Sequence, residues 1–355
     1  MSHTEETMQA LVLRAIGDVQ LEQIPIPAVK SGYARIRIEF CGVCGSDIPR
    51  LFSKGTYNFP TVCGHEFSGT IEETHDNNDS EFKVGDRVVV FPLIWCGQCS
   101  ACEIGQYVKC RDYDYLGSRS NGAFSEYVIA PITNLILVPE MVSLEEAAMS
   151  EPAAVSLHAL KRGNCSVGQT IAVFGAGPIG LITAQWAKVM GVQKIILFDI
   201  IPEKLKLANQ MGIDLTFNNR DQNSLSVINQ LTNGKGVDLA IEAAGVPSTL
   251  IEALSATAYG GRVVMLGNPS SSVTLSTDLI SQLMRREVDI VGTWNSDFSV
   301  CGNSDDWRTV LQAMALKTLD LRPLVTHQVK LAYALDALRM MKDQSDFFSK
   351  VLISP

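Results

Sequence analysis

Cys44, His65 and Glu66 are a thiol, an imidazole and a carboxylate within one short stretch, Cys41-Gly-Val-Cys-Gly-Ser-Asp47 through Cys63-Gly-His-Glu66. Zinc accepts all three ligand types together, and three protein ligands leave a fourth position where the metal acts as a Lewis acid on a substrate oxygen. Glycines flank Cys44 and His65, so the expected positions are turns at loop tips. On its own the stretch is ambiguous, since a buried Cys is most often plain core. A second cluster is more specific. Cys96, Cys99, Cys102 and Cys110 form Cys-x2-Cys-x2-Cys-x7-Cys around Gly97 and Gly105. That spacing suits a closed, tetrahedral structural zinc site, whereas iron–sulfur clusters generally use other spacings. A third motif, Gly175-Ala-Gly-Pro-Ile-Gly180, follows the apolar run Ile171-Ala-Val-Phe174 and precedes a helical pattern from Leu181 to Met190. Between strand and helix, such glycines permit the tight turn (Gly175), close approach of a pyrophosphate (Gly177) and helix–strand packing (Gly180). Gly175, Gly177, Pro178, Ile179 and Gly180 are therefore the expected phosphate loop, with the helix N-terminus facing the anion. Asp199 closes the next apolar run, where a carboxylate binds ribose hydroxyls and repels a 2′-phosphate, favouring NAD over NADP.

These residues need elements to hold them. Residues 8–40 alternate apolar and polar, as in Ala34-Arg-Ile-Arg-Ile-Glu-Phe40, and read as antiparallel strands; 67–74 and 84–91 read as further strands. A polar loop is expected over 75–81 and a polar lead-in over Met1–Thr7. After about residue 155 the pattern changes to strands alternating with amphipathic helices. Candidate strands at 170–174, 194–198, 213–217, 237–241, 262–266 and 288–292 make the six of a complete dinucleotide-binding sheet. Beyond about 297 the character is mixed again, with a helix near 331–342 and a strand at 350–353.

Composition narrows the class. The 355 residues are 46% hydrophobic and 19% charged, enough for large globular cores, and the length allows two domains. A net charge of −9 argues against nucleic acid or an anionic membrane as partner. No apolar run reaches the ~18 residues of a membrane span, so a cytoplasmic location is expected. Nine cysteines, eight of them before residue 166, suggest metal rather than disulfides. Glu151-Pro152 lies where the first pattern gives way to the second, and gains interest only because an open metal site needs another oxygen ligand.

On Cys44-Gly-Ser-Asp47, Gly64-His-Glu66, the four-cysteine lobe, Glu151-Pro152 and Gly175 to Gly180, the chain resembles the zinc-dependent medium-chain dehydrogenases, from about Met8 to Pro355. The resemblance implies an α/β protein: a GroES-like β-barrel catalytic domain over 1–155 and 297–355, and a Rossmann doubly wound parallel-sheet domain over 156–296. It implies two zinc ions per chain, the catalytic one near Cys44, His65, Glu66 and Glu151, with either glutamate as the direct ligand. Glu151 stands where liver-type alcohol dehydrogenases have cysteine and sorbitol-type enzymes have glutamate, which points to the polyol branch. The remaining Cys41, Cys63, Cys165 and Cys301 match no ligand position and read as packing.

The segments Cys44 to Arg50, Tyr113 to Arg119, Gly122 to Tyr127 and Gly292 to Asn295 further resemble polyol-phosphate dehydrogenases, with Arg50, Lys54 and Arg119 as candidate phosphate ligands. The implied reaction is NAD-linked oxidation of a secondary hydroxyl to a ketone. Ser46 is the implied proton acceptor, and Pro49 stands where many relatives carry a relay histidine. A homodimer or homotetramer is implied. The alternatives are a dehydrogenase of unphosphorylated polyols or of threonine, and a non-catalytic NAD-binding zinc protein.

Overall fold

The computed structural model describes residues 6–75, 81–302 and 304–355. Most of the expected lead-in and residues 76–80 of the expected polar loop lie outside them, while His75 at that loop's start is exposed. The chain forms two compact units, Met1–Glu151 with Asp297–Lys317 and Val325–Pro355, and Pro152–Ser296 with Thr318–Leu324. The division therefore falls before Pro152 rather than at 155. The reason is local: Trp186 Nε1 donates to Ala153 O at 3.0 Å and Ser156 Oγ to Ile179 O at 3.3 Å, tying the helix from Pro152 onward to the second unit. Residues 318–324 also group with the second unit, not with the first as the sequence suggested.

In the first unit, β1 (Thr7–Ala15) and β2 (Asp18–Pro25) form an antiparallel hairpin, and β3 (Tyr33–Gly42) is the central strand of a larger sheet. There follow β4 (Thr61–Val62), β5 (Glu66–Thr74), β6 (Arg87–Val90), the short pair β7 (Leu93–Ile94) and β8 (Asp114–Tyr115), then β9 (Tyr127–Pro131) and β10 (Leu135–Leu137). Val84 and Gly85, read as strand, belong instead to a turn in which Gly85 takes φ +93°, a left-handed conformation a β-branched residue resists. In β3, alternation places Ala34, Ile36 and Ile38 inside with Leu11, Leu13, Phe67, Val88 and Phe124. Burying each large side chain contributes roughly 1.5–3 kcal/mol.

The second unit is a six-stranded sheet of β11 (Thr170–Phe174), β12 (Lys194–Asp199), β13 (Leu215–Asn218), β14 (Val237–Glu242), β15 (Thr257–Met265) and β16 (Asp289–Gly292). All pairs are parallel and the spatial order is β13-β12-β11-β14-β15-β16, the doubly wound arrangement whose order reverses beside β11. Ile171 to Phe174 are all fully buried, as expected of a strand covered on both faces.

The chain then returns to the first unit with β17 (Val325–Lys330) and β18 (Lys350–Ser354). The larger sheet reads β10-β6-β5-β3-β18-β17, with β9 also pairing β3. Through Leu352↔Gly42 and Ile353↔Cys41, the last strand of the chain lies beside the strand that leads into Cys44. Among the described residues no helix is long and apolar enough to cross a membrane.

Candidate metal centre and dinucleotide site

Cys44, His65 and Glu66 each offer a ligand atom, and these atoms lie within 4.8 Å of one another. Cys44 occupies the turn after β3, and His65 precedes β5. Glu66 is the first residue of β5 rather than part of a loop tip. Two glycines make this convergence possible. A Cβ on Gly64, which has φ +96°, would stand 2.7 Å from the Phe124 ring and 2.9 Å from Cys41 Sγ; one on Gly42 would stand 2.4 Å from Glu66 Oε2. Asp47, fully buried, organises the turn: its Oδ2 accepts from Cys44 N at 3.0 Å and its Oδ1 from Arg50 Nη1 at 2.5 Å. The same Oδ1 faces His65 Nδ1 at 3.6 Å.

The donor set fits a divalent cation. Burial drives the Cys44 thiol well above its ordinary range, and the carboxylates of Glu66, Asp47 and Glu151 drive it further. One thiol and three acids share this site with Lys350 and Arg50 as the cations in reach. An ion of charge +2 reverses that balance and holds the thiolate ionised. Lys350 was not marked out by sequence. Its ammonium donates to Glu66 Oε2 at 2.6 Å and to Val43 O at 3.2 Å, and both side chains are almost wholly buried. Burial lowers its pKa, but Glu66 and Cys44 raise it by more, so the net shift is upward and it carries charge.

Glu151 stands apart from the three-donor group. It is buried in the first turn of the helix Ser150–Arg162, and Tyr115 Oη donates to its Oε1 at 3.4 Å. Burial pushes its carboxyl up to about 7, with His65 opposing and Glu66 adding to the rise. The Tyr115 ring also meets His65 edge-on, with centroids 5.8 Å apart. Ser46, two residues from Cys44, is exposed and its hydroxyl makes no capping bond.

The four cysteines gather as their spacing implies, every sulfur within 4.8 Å of the others. Cys99 Sγ lies 3.5 Å from Cys102 Sγ and 3.9 Å from Cys110 Sγ, and Cys96 Sγ lies 4.0 Å from Cys102 Sγ. These separations exclude disulfides and match the ~3.8 Å edge of a tetrahedron with zinc–sulfur bonds of about 2.3 Å. Backbone N–H groups around Cys99, that of Arg111 foremost, lower its thiol to about 6, so one thiolate is present at neutral pH. Trp95, next to the lobe, stacks on Tyr107 at 4.2 Å between centroids, and Phe91 stacks on Phe298 at 4.4 Å beside it.

The glycine-rich loop joins β11 to the helix Pro178–Val189. Gly175 takes φ +106°, and a Cβ there would stand 2.9 Å from Ala244 N; a Cβ on Gly180 would stand 1.8 Å from Gly175 O. Around Gly177, by contrast, a Cβ would meet nothing within 4 Å. That open space over the capless helix N-terminus is where an anion can approach the backbone. Asp199 is held at the end of β12: Oδ2 accepts from Ala176 N at 2.7 Å, and Oδ1 from Ile200 N at 2.7 Å and Ile201 N at 2.9 Å. Its Oδ2 retains a lone pair for a ribose hydroxyl.

The candidate phosphate ligands separate. Arg50 is committed to Asp47, as above. Lys54 is exposed at the end of the segment Arg50–Lys54. Arg119 has its guanidinium between two rings, 4.2 Å from the centroid of Tyr57 and 4.2 Å from that of Tyr113. It borders an open recess with Tyr57, Asn58, Asp112, Tyr113 and Asp114.

Comparison with known proteins decides the family. Residues 30–140 match the alcohol dehydrogenase GroES-like domain, and 178–315 match the zinc-binding dehydrogenase domain. Sorbitol dehydrogenase of Bacillus subtilis (strain 168) is 33% identical over 362 residues, covering 100% of this chain and 99% of that one. Galactitol 1-phosphate 5-dehydrogenase of Escherichia coli (strain K12) is 31% identical over 322 residues, covering 90% and 92%. The crystal structure of galactitol-1-phosphate dehydrogenase from Escherichia coli superposes with a TM-score of 0.92 at 30% identity, covering 98% of this chain and 100% of that one.

The chain is a zinc-dependent medium-chain dehydrogenase.

As a dehydrogenase of this family it is an oxidoreductase acting on alcohols or polyols, and its cofactors are zinc and a nicotinamide dinucleotide. Two residues beside the candidate metal centre were not among the site residues read from the sequence. Lys350 lies 284 positions from Glu66, and Tyr115 lies 36 from Glu151. A lysine opening an otherwise apolar C-terminal strand was the available signal for the first. Of the remaining cysteines, Cys41 and Cys63 are fully buried and Cys165 half-buried, but Cys301 is exposed, so packing does not describe it.

Proposed function

We propose that this dehydrogenase oxidises a secondary hydroxyl of a sugar alcohol phosphate, such as galactitol 1-phosphate, to the ketose phosphate, with NAD as acceptor. The observation that carries the substrate class is Arg119. A guanidinium clamped between Tyr57 and Tyr113 is oriented by stacking while its N–H edge remains available for two parallel bonds to a phosphate. Tyr113 lies 6.4 Å from Tyr115, ring to ring, and Tyr115 touches the metal centre through His65 and Glu151. Asp112 and Asp114 in the same recess favour a second reading, an unphosphorylated polyol whose hydroxyls donate to carboxylates.

Cys44, His65 and Glu66 would hold a zinc ion, which would supply a Lewis acid for the substrate oxygen, and a bound nicotinamide would supply the hydride acceptor. The chain's own residues do the rest. Asp47 fixes the Cys44 amide, and its other oxygen lies 3.6 Å from His65 Nδ1. The exposed Ser46 hydroxyl takes the proton leaving the alcohol. Pro49 cannot titrate, so no side chain at 49 relays that proton onward.

Two measurements test this reading. Arg119→Ala lowers kcat/KM on galactitol 1-phosphate by roughly ten- to a hundredfold, the ~1.5–3 kcal/mol of a charge-assisted bond, and leaves free galactitol nearly unaffected. Equal losses on both substrates would remove the phosphate role and leave the free polyol. Asp199→Ala raises KM for NAD by a similar factor and narrows the preference over NADP, because an acceptor and a repelling charge vanish together. A variant that keeps the wild-type preference would show that discrimination lies elsewhere.

A further inference from the structure

Glu66 is a shared carboxylate. Lys350 holds Oε2 at 2.6 Å, and the same ammonium is anchored on Val43 O at 3.2 Å. The arrangement is set by the register of three strands. Lys350 opens β18, Glu66 opens β5, and both strands pair with β3 at Gly42, through Leu352↔Gly42 and Gly42↔Glu66. Glycine at 42 leaves room for Glu66 Oε2, where a Cβ would intrude at 2.4 Å. Lys350 is 2% exposed. Removing an ammonium from water is costly, and an apolar side chain would fill the same sheet position without that cost.

We propose that Lys350 is a positioning residue of the metal centre, which occupies one oxygen of Glu66, restricts that glutamate to a single donor oxygen beside Cys44 and His65, and sets a fixed positive charge against the donor set. The inference rests on the reading that these three residues hold zinc. Lys350 adds one positive charge to what the ion, Cys44, Glu66, Asp47, Glu151 and Arg50 leave between them, so a substrate oxygen meets a more positive site than it would without Lys350 and loses its proton more readily. The charge also opposes the ion, so Lys350 makes the metal more acidic toward substrate at the expense of metal affinity.

The test needs no substrate. Zinc affinity of the open site is measured by chelator competition, and the visible spectrum is recorded with cobalt in that site, for the wild type and for Lys350→Met, Lys350→Gln and Lys350→Arg. The expected result is that the Met and Gln variants hold zinc on the order of tenfold tighter, because a repelling unit charge is gone. Their cobalt absorption also changes, because both Glu66 oxygens become available, whereas Lys350→Arg matches the wild type in both readouts. Unchanged or weaker zinc binding in the neutral variants would overturn the proposal, since loss of a merely orienting partner typically weakens a site ten- to a hundredfold. Failure of both neutral variants to fold with zinc present would overturn it too, because the ion would then not be taking up the freed carboxylate. Wild-type zinc content against Cys44→Ser separates the two levels: a variant that still holds two ions per chain refutes the metal-site reading itself, whatever Lys350 does.

Discussion

His65→Ala turns the protein into a folded, NAD-binding chain with one zinc ion and turnover lowered about a thousandfold or more. The open site has three donors within 4.8 Å, and removing the imidazole leaves a thiol and a carboxylate, too few to hold the ion. The Lewis acid contributes several kcal/mol to the transition state, so at about 1.4 kcal/mol per tenfold the rate falls about a thousandfold or more. The four-cysteine lobe is built from other residues and keeps its metal, so zinc analysis drops from two ions to one. NAD binding, followed by NADH fluorescence or calorimetry, stays near the wild-type value because the glycine-rich loop belongs to the second unit. Turnover within tenfold of the wild type would mean that Cys44, His65 and Glu66 are not the catalytic centre.

Cys99→Ser has the opposite profile, a loss of stability before any loss of chemistry. The lobe presents four thiols whose sulfurs all lie within 4.8 Å of one another, and a coordinated zinc is what would ionise them together and offset the repulsion between the thiolates. Backbone N–H groups lower the Cys99 thiol to about 6, so near neutral pH it offers the metal a thiolate that serine does not. The expected outcome is loss of one zinc ion and a fall in the melting temperature of several degrees, which a domain of this size shows for about 2–3 kcal/mol. Trp95, stacked on Tyr107 in the lobe, reports the event as a red shift in emission. Protons compete with zinc for the thiolates, so metal loss deepens as pH falls. In the unmodified protein a chelator strips the open site before this one. A Cys99→Ser protein with full zinc content and unchanged melting would contradict the structural assignment.

Both predictions concern features legible in the sequence, because their partners are close along the chain. The four cysteines span fifteen residues, and strand, glycine loop and helix follow one another between Thr170 and Val189. Local spacing then decides geometry almost unaided: a loop of that length can close on one ion, and glycine is the residue that allows φ +106° at position 175. The strand β11 was visible for a related reason, since a strand buried on both faces is continuously apolar.

What spacing could not show is which distant side chains share a site. Arg50 and Arg119 looked alike as candidate phosphate ligands; the fold commits one to the buried Asp47 and places the other between Tyr57 and Tyr113. Glu66 and Glu151 looked alike as the carboxylate ligand, and the fold groups only Glu66 with Cys44 and His65 while giving Glu151 to Tyr115. Lys350 carried no motif at all. It joins the metal centre because β18 pairs with β3 at Gly42, bringing an ammonium across 284 residues of chain to the carboxylate that opens β5. Residue type and local spacing determine what a side chain can do. Strand register and burial decide which partner it meets, and in a low-dielectric interior that partner sets its charge and its role.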